Sequence, residues 1–350
     1  MKKLITILLI VPGLALAMIV ATSCTKEGPQ GPAGEDGIDG TDGTATCGQC
    51  HNSGEDFLAK VVQWEASTHA TGGNYERNGN SCAPCHTSMG FREIIETGAD
   101  TTASTIADPT PINCYTCHKV HETYTADDWM LRYTDPVTFM EGGATADRAN
   151  GNLCTKCHQS RPANPYPAMG AGNIVFPEGT SYRWGPHHGP QGNLLYGIGG
   201  GAYEIAGSMG YENSVHSNIE DGCISCHMAD AYGDQAGGHT FSMGYEYHGH
   251  TVINTAGCLV SGCHSNEDNL IAATEALVIE VEEKLVELAG LLMEQGVMRE
   301  DGYLVVPGTY TNAQAGAFYN YKVIEEDRSM AVHNPKYARA LLMNSIEAIQ

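Results

Sequence analysis

Hydrophobic positions are spread unevenly along the 350 residues. Lys2 and Lys3 precede an apolar run from Leu4 to Ala21, broken only at Pro12-Gly13 and followed by small residues up to Cys24. This pattern predicts an export signal of the lipoprotein type over 1–23, with Cys24 acylated as the first mature residue. Glycine then recurs at every third position from Gly28 to Gly43. Over 24–45 this reads as a collagen-like, solvated Gly-x-y tether, and trimerisation through it, making a homo-oligomer, is the alternative. From 46 to 268 the chain is glycine-rich and lacks long periodic segments. In 269–350 the periodicity returns: Leu270, Leu277, Val281, Leu288 and Leu292 fall at three-four spacing between Asn269 and Gln295. A second helix is expected to start at a cap on Asn312 and run to about Asp327, and a third to start at His333-Asn334-Pro335 and end near Gln350. The fold class is therefore mainly α with much irregular loop, closing in a C-terminal helical bundle. The Leu270 to Leu292 stretch carries five glutamates and a lysine, so it is a soluble helix and no bilayer span.

With 6 Phe and 3 Trp, side chains alone make a thin core for the middle region. Its cysteines explain what fills it. Twelve of the 13 fall into six motifs. Five are CxxCH: Cys47/Cys50/His51, Cys82/Cys85/His86, Cys114/Cys117/His118, Cys154/Cys157/His158 and Cys223/Cys226/His227. The sixth, Cys258/Cys263/His264, has four residues between its cysteines. In this motif two thiols add to the haem vinyl groups and the adjoining histidine becomes the proximal iron ligand. Zinc also uses CxxC pairs, but five motifs with histidine in the fixed place, behind an export signal, point to haem. The expectation is six covalently attached haem c groups forming the core of residues 46–268. The motif histidines are separated by 35, 32, 40, 69 and 37 residues, too irregular for a solenoid repeat.

Each iron needs a second axial ligand unless it performs catalysis. Of the 15 histidines, nine lie outside the motifs. Trp64-x-x-Ser67-x-His69 and Tyr211-x-x-Ser214-x-His216 share a pattern that reads as a helical turn presenting imidazole. His121 lies three residues beyond His118, too close to reach the same iron, and serves a neighbouring one. His239 and the pair His187 and His188 sit in glycine-lined turns that a haem face can approach, and either member of the pair is a candidate. His333 completes the distal set, with His248 and His250 in reserve.

The Trp64–Ala70 segment, Gly237-Gly238-His239-Thr240-Phe241 after the CxxCHM of Cys223–Met228, and His333-Asn334-Pro335 resemble the group of cytochrome c nitrite reductase, octahaem tetrathionate reductase and hydroxylamine oxidoreductase. The resemblance runs over residues 46–350. It implies closely packed haem pairs followed by long C-terminal helices, with His333 delivered to iron by the bundle. The chain departs from nitrite reductases in having no CxxCK motif, and it shows no tyrosine assignable to a haem cross-link.

The formal charge of −23 excludes nucleic acid as a partner. It suits other cytochromes, basic redox proteins or metal oxides. Bis-histidine ligation throughout implies electron transfer at low potential along an array tethered to the outer membrane, on its periplasmic face or at the cell surface. The competing reading is a reductase of a small nitrogen or sulfur oxyanion, which requires one open iron.

Overall fold

The computed structural model describes residues 51, 54–167, 170, 172–197 and 203–350. Residues 45–350 form one compact unit. The signal, the Gly-x-y tether, Cys24, Cys47 and Cys50 lie outside the described residues.

The architecture is mainly α, with long loops and three two-stranded antiparallel ribbons. Helix α1 (Gly54–Ala66) is capped by the charges of Glu55 and Asp56 in its first turn, yet buries no side chain. Phe57, Val61 and Trp64 recur along one of its faces and look into a cavity. Helix α2 (Ser88–Thr97) starts at Thr87, whose hydroxyl accepts from Gly90 N, and stops at Gly98 in the left-handed conformation. Between α1 and residue 260 most other helices are single turns.

Three long helices close the chain. α3 (Glu267–Glu294) is N-capped by Asn266, and Leu277, Val281, Leu288 and Leu292 are its buried face, as the spacing predicts. α4 (Asn312–Asp327) begins one residue earlier than a cap on Asn312 would allow. Thr311 is the cap, because its hydroxyl accepts from Gln314 N while the Gln314 side chain accepts from Thr311 N. α5 (Pro335–Ile349) begins at the expected proline. Asn334 stands at its cap position but makes no cap bond. Its side chain instead accepts from Ser214 N and donates to Leu194 O, Leu195 O and Asn213 Oδ1, which ties the helix to the middle of the chain. Buried Asn320 similarly bridges α4 to Tyr203 and to Ser345 of α5.

Strand β1 (Asn173–Phe176) pairs with β4 (Gly308–Thr311), so the middle region and the bundle share a ribbon. β2 (Gly244–Tyr247) and β3 (His250–Ile253) form a hairpin. The apolar core is lopsided. One cluster of 27 buried residues, all at or beyond Ile174, holds the bundle, whereas the other has only Phe139, Ala146, Leu195 and Tyr196. Among the described residues no helix is long and apolar enough to cross a membrane.

Candidate haem centres

A cavity of about 2780 Å³ occupies the place of the missing core. All ten described cysteines line it, together with His69, His86, His118, His158, His187, His216, His227, His239, His264 and His333. Protein interiors pack like organic crystals and do not sustain such a void empty.

Local backbone structure builds each motif. In three of them a short turn joins the histidine N–H to the carbonyl of the first cysteine: His86 to Cys82 (3.2 Å), His118 to Cys114 (2.8 Å) and His158 to Cys154 (2.9 Å). That bond places both thiols and the imidazole on one turn. A capping box of Asn113 and Thr116 fixes the third motif. The sixth motif keeps the same bond despite its two extra residues. His264 N reaches Cys258 O at 3.1 Å, and Gly262 takes a φ of 89° to loop out the insertion.

Every motif histidine faces one histidine from outside the motifs. The ring-centroid separations are 6.2 Å for His51–His121, 6.2 Å for His86–His187 and 6.3 Å for His118–His239. They are 6.1 Å for His158–His69, 6.1 Å for His227–His333 and 6.3 Å for His264–His216. Two imidazoles on opposite sides of one metal, each with a metal–nitrogen bond of about 2.0 Å, have ring centres roughly 6 Å apart. The near-constant spacing, repeated at each of the six motif histidines, is that of a ligand pair.

Second partners orient the rings. Nδ1 of His118 bonds Trp129 O (2.7 Å), that of His227 bonds Phe241 O (2.8 Å) and that of His216 bonds Val332 O (2.8 Å). His158 Nδ1 bonds Gln191 Oε1 at 3.2 Å, and His333 Nδ1 bonds Asp327 Oδ1 at 2.6 Å. Each acceptor holds the proton on Nδ1 and leaves Nε2 as the metal-binding lone pair. Burial, reinforced by His158, lowers the pKa of His69 to about 4. Burial also lowers His187 to about 4, with help from His188 and Arg161, and His239 to about 4, with help from His118 and Lys60. Neutral imidazole is the form that binds metal.

Short turns carry the histidines that face the motifs. Ser67 caps a turn at Thr68–Thr71, its hydroxyl donating to Trp64 O and accepting from Ala70 N, and so aims His69. His216 stands in the turn Val215–Asn218. His239 stands in the turn Gly238–Thr240, pinned to α1 because Gln63 Oε1 accepts from its N–H. Glycine is required there: a Cβ on Gly238 would lie 2.5 Å from Gln63 Oε1, and one on Gly237 2.7 Å from Ala229 O. Of the adjacent pair, His187 takes the position opposite His86. His188 also lines the cavity but is exposed, its ring 5.0 Å from that of His187 and its Nδ1 on Glu326 Oε2 at 2.8 Å. His248 and His250 lie exposed at the β2–β3 turn and face no motif histidine.

Three features were not visible in the sequence. Asp327 and Gln191, which hold ring protons, carry no motif. The carbonyls of Trp129, Phe241 and Val332 act through backbone, which sequence patterns do not encode. Arg77, Arg161 and Arg328 line the cavity, yet none has an ion pair with a carboxylate among the described residues. In a chain with 41 acids against 18 bases, unpaired cavity arginines fit a group that brings its own carboxylates, as haem does.

The motifs also adjoin one another. The Cys85 and Cys157 thiols are neighbours, as are those of Cys154 and Cys223, and all four are free. Cys117 lies within electrostatic reach of Cys154 and Cys157, and Cys226 within reach of Cys258 and Cys263.

Mainly α, with long loops around one large cavity, the fold resembles that of a multihaem cytochrome. Among solved structures the chain is similar to the outer cell wall cytochrome OcwA, with 18% identity and a TM-score of 0.50 over 83% of this chain and 50% of that one. The likeness is one of fold. No family model and no curated protein matches the chain.

Proposed function

We propose that this chain is an exported hexahaem c-type cytochrome whose work is passing electrons through six irons closed by histidine on both sides. The observation that carries the reading is the set of six histidine pairs, all at 6.1 to 6.3 Å. Twelve cysteines would hold the vinyl groups, from Cys47/Cys50 to Cys258/Cys263. His51, His86, His118, His158, His227 and His264 would be the proximal ligands. His121, His187, His239, His69, His333 and His216, in the same order, would be the distal ones. Haem iron supplies one-electron exchange between ferric and ferrous states. The chain keeps both axial positions filled, so coordination is the same in the two states and little reorganisation accompanies transfer.

The adjoining motifs support a connected, branched path. His121 follows His118 by three residues, so the first and third sites are neighbours. The third adjoins the fourth through Cys117, and the fourth adjoins both the second and the fifth through its two cysteines. The fifth adjoins the sixth through Cys226. The site of His158 is then a hub, with ends at the sites of His51, His86 and His264. Other cytochromes or metal oxides are the partners that such ends would serve.

The signal over 1–23, the acylated Cys24 and the tether over 24–45 would hang the cytochrome from the outer membrane. One measurement addresses stoichiometry and anchor together. Intact mass of the mature protein should equal residues 24–350 plus six haems plus lipid. Four or fewer haems would end the reading, five would implicate Cys258/Cys263, and a lipid-free N-terminus would remove the anchor.

A further inference from the structure

The acceptors on the ring Nδ1 atoms differ in one respect. Backbone carbonyls serve His118, His227 and His216, and a neutral amide serves His158. His333 alone among the facing histidines has a carboxylate, Asp327 Oδ1 at 2.6 Å, and the Asp327 side chain is 0% exposed. His188 also meets a carboxylate, Glu326, but it faces no motif histidine and lies at the surface. Asp327 is fixed at the end of α4. Its Oδ2 accepts from Ser329 N at 3.2 Å and from the Ser329 hydroxyl, whose oxygen in turn accepts from His333 N at 3.2 Å. Arg328, Met330 and Ala331 in this connection all have positive φ, and these hydrogen bonds hold the loop in that conformation.

A buried carboxylate on Nδ1–H draws the proton towards itself and makes Nε2 a stronger donor to the metal. It also places a negative charge where the effective dielectric is low. Both effects favour the ferric over the ferrous state. The opposite environment surrounds His86 and His187. Arg77 and Arg161 both act on that pair, and the Glu326 carboxylate is engaged by the neighbouring His188.

We propose that Asp327 is a potential-setting residue that makes the His227–His333 site the lowest-potential centre of the array. The inference rests on the ligation proposed above. In the branched path this site stands between the hub and the His264 end. An electron entering from the His264 end climbs to it and then falls to the hub, and one leaving by that end meets the same rise. Asp327 therefore sets the rate through this arm without touching the transferred electron.

The test is a spectroelectrochemical titration of the full haem-loaded protein and two variants, with spin state recorded in each. Asp327→Asn keeps an acceptor for Nδ1–H and removes the charge, so the lowest of the six midpoints should move up while the other five stay. Ser329→Ala removes a hydroxyl that shares the carboxylate, so the same midpoint should move further down. Opposite shifts in one midpoint are not produced by a merely structural role, and Ser329→Ala serves alone if the first variant does not mature. Six low-spin haems with unmoved midpoints would overturn the inference and leave the ligation intact. A high-spin haem in Asp327→Asn would overturn it as well, because Asp327 would then be holding the ligand in place. Failure of the ligation itself would show differently, as an unchanged low-spin count in His333→Ala.

Discussion

Haem-free chain, made by replacing the motif cysteines with serine, is expected to lose its folded structure between residues 54 and 160 while keeping much of the bundle. The expected effect is the largest of any change considered. An empty cavity costs about 24 cal/mol per Å³. A void of about 2780 Å³ therefore lies tens of kcal/mol beyond the 5–15 kcal/mol that stabilises a typical domain. Little else in that segment compensates, since α1 buries no side chain and the buried apolar residues there, such as Phe91, Ile94 and Phe139, are few and scattered. The cluster shared by α3, α4 and α5 has its own interior. Limited proteolysis should cut 54–160 first and leave fragments containing α3 to α5, with helical circular dichroism partly retained. A haem-free chain as protease-resistant as the loaded one would show that haem is not the core.

His333→Ala should convert one haem from low-spin to high-spin and let it bind carbon monoxide, and should also destabilise the fold. The variant strips the buried Asp327 carboxylate of its imidazole N–H donor, and a buried charged group left short of a partner costs about 1–3 kcal/mol or more. His188→Ala is the control. It removes an exposed ion pair worth about 1 kcal/mol or less, and it should leave six low-spin haems. Optical and carbon monoxide difference spectra of the two variants separate the roles of neighbouring α4 contacts. A high-spin haem in His188→Ala and none in His333→Ala would reverse the assignment.

The cysteine motifs and the presenting segments were legible in the sequence because covalent attachment imposes a spacing that side chains alone must satisfy. The helix start at Pro335 was nearly as clear, since a proline at the first helical position acts locally, whereas the Asn266 cap lies just ahead of the Asn269–Gln295 stretch that periodicity marked. His121 was assigned to a neighbouring iron by a simple argument of reach, and it faces His51. The choice of His187 over His188 was not legible. It depends on where Glu326, more than a hundred residues away, places its carboxylate. Asn334 shows the same limit in reverse: the right residue stands at the cap position, but long-range bonds to Leu194, Asn213 and Ser214 claim its side chain. Sequence read the C-terminal helices as a bundle packed on the array. The loop between α4 and α5 places His333 opposite His227, and its Val332 carbonyl accepts from His216, a contact the sequence did not suggest. Together with the end of α4 it organises two centres and fixes His188.

Electron paramagnetic resonance of the fully oxidised protein, with spins quantified against haem content, tests the closed array most directly. The account predicts six low-spin ferric haems and no high-spin signal. The ring planes should divide them. His51–His121 and His118–His239 lie at 30° and 35°, which gives rhombic spectra, whereas His86–His187 at 81° and His216–His264 at 70° give strongly anisotropic ones. Nitrite, cyanide and carbon monoxide should leave every signal unchanged. A high-spin signal that shifts on adding nitrite, with turnover of nitrite by a reduced dye, would contradict the account and make the protein a reductase.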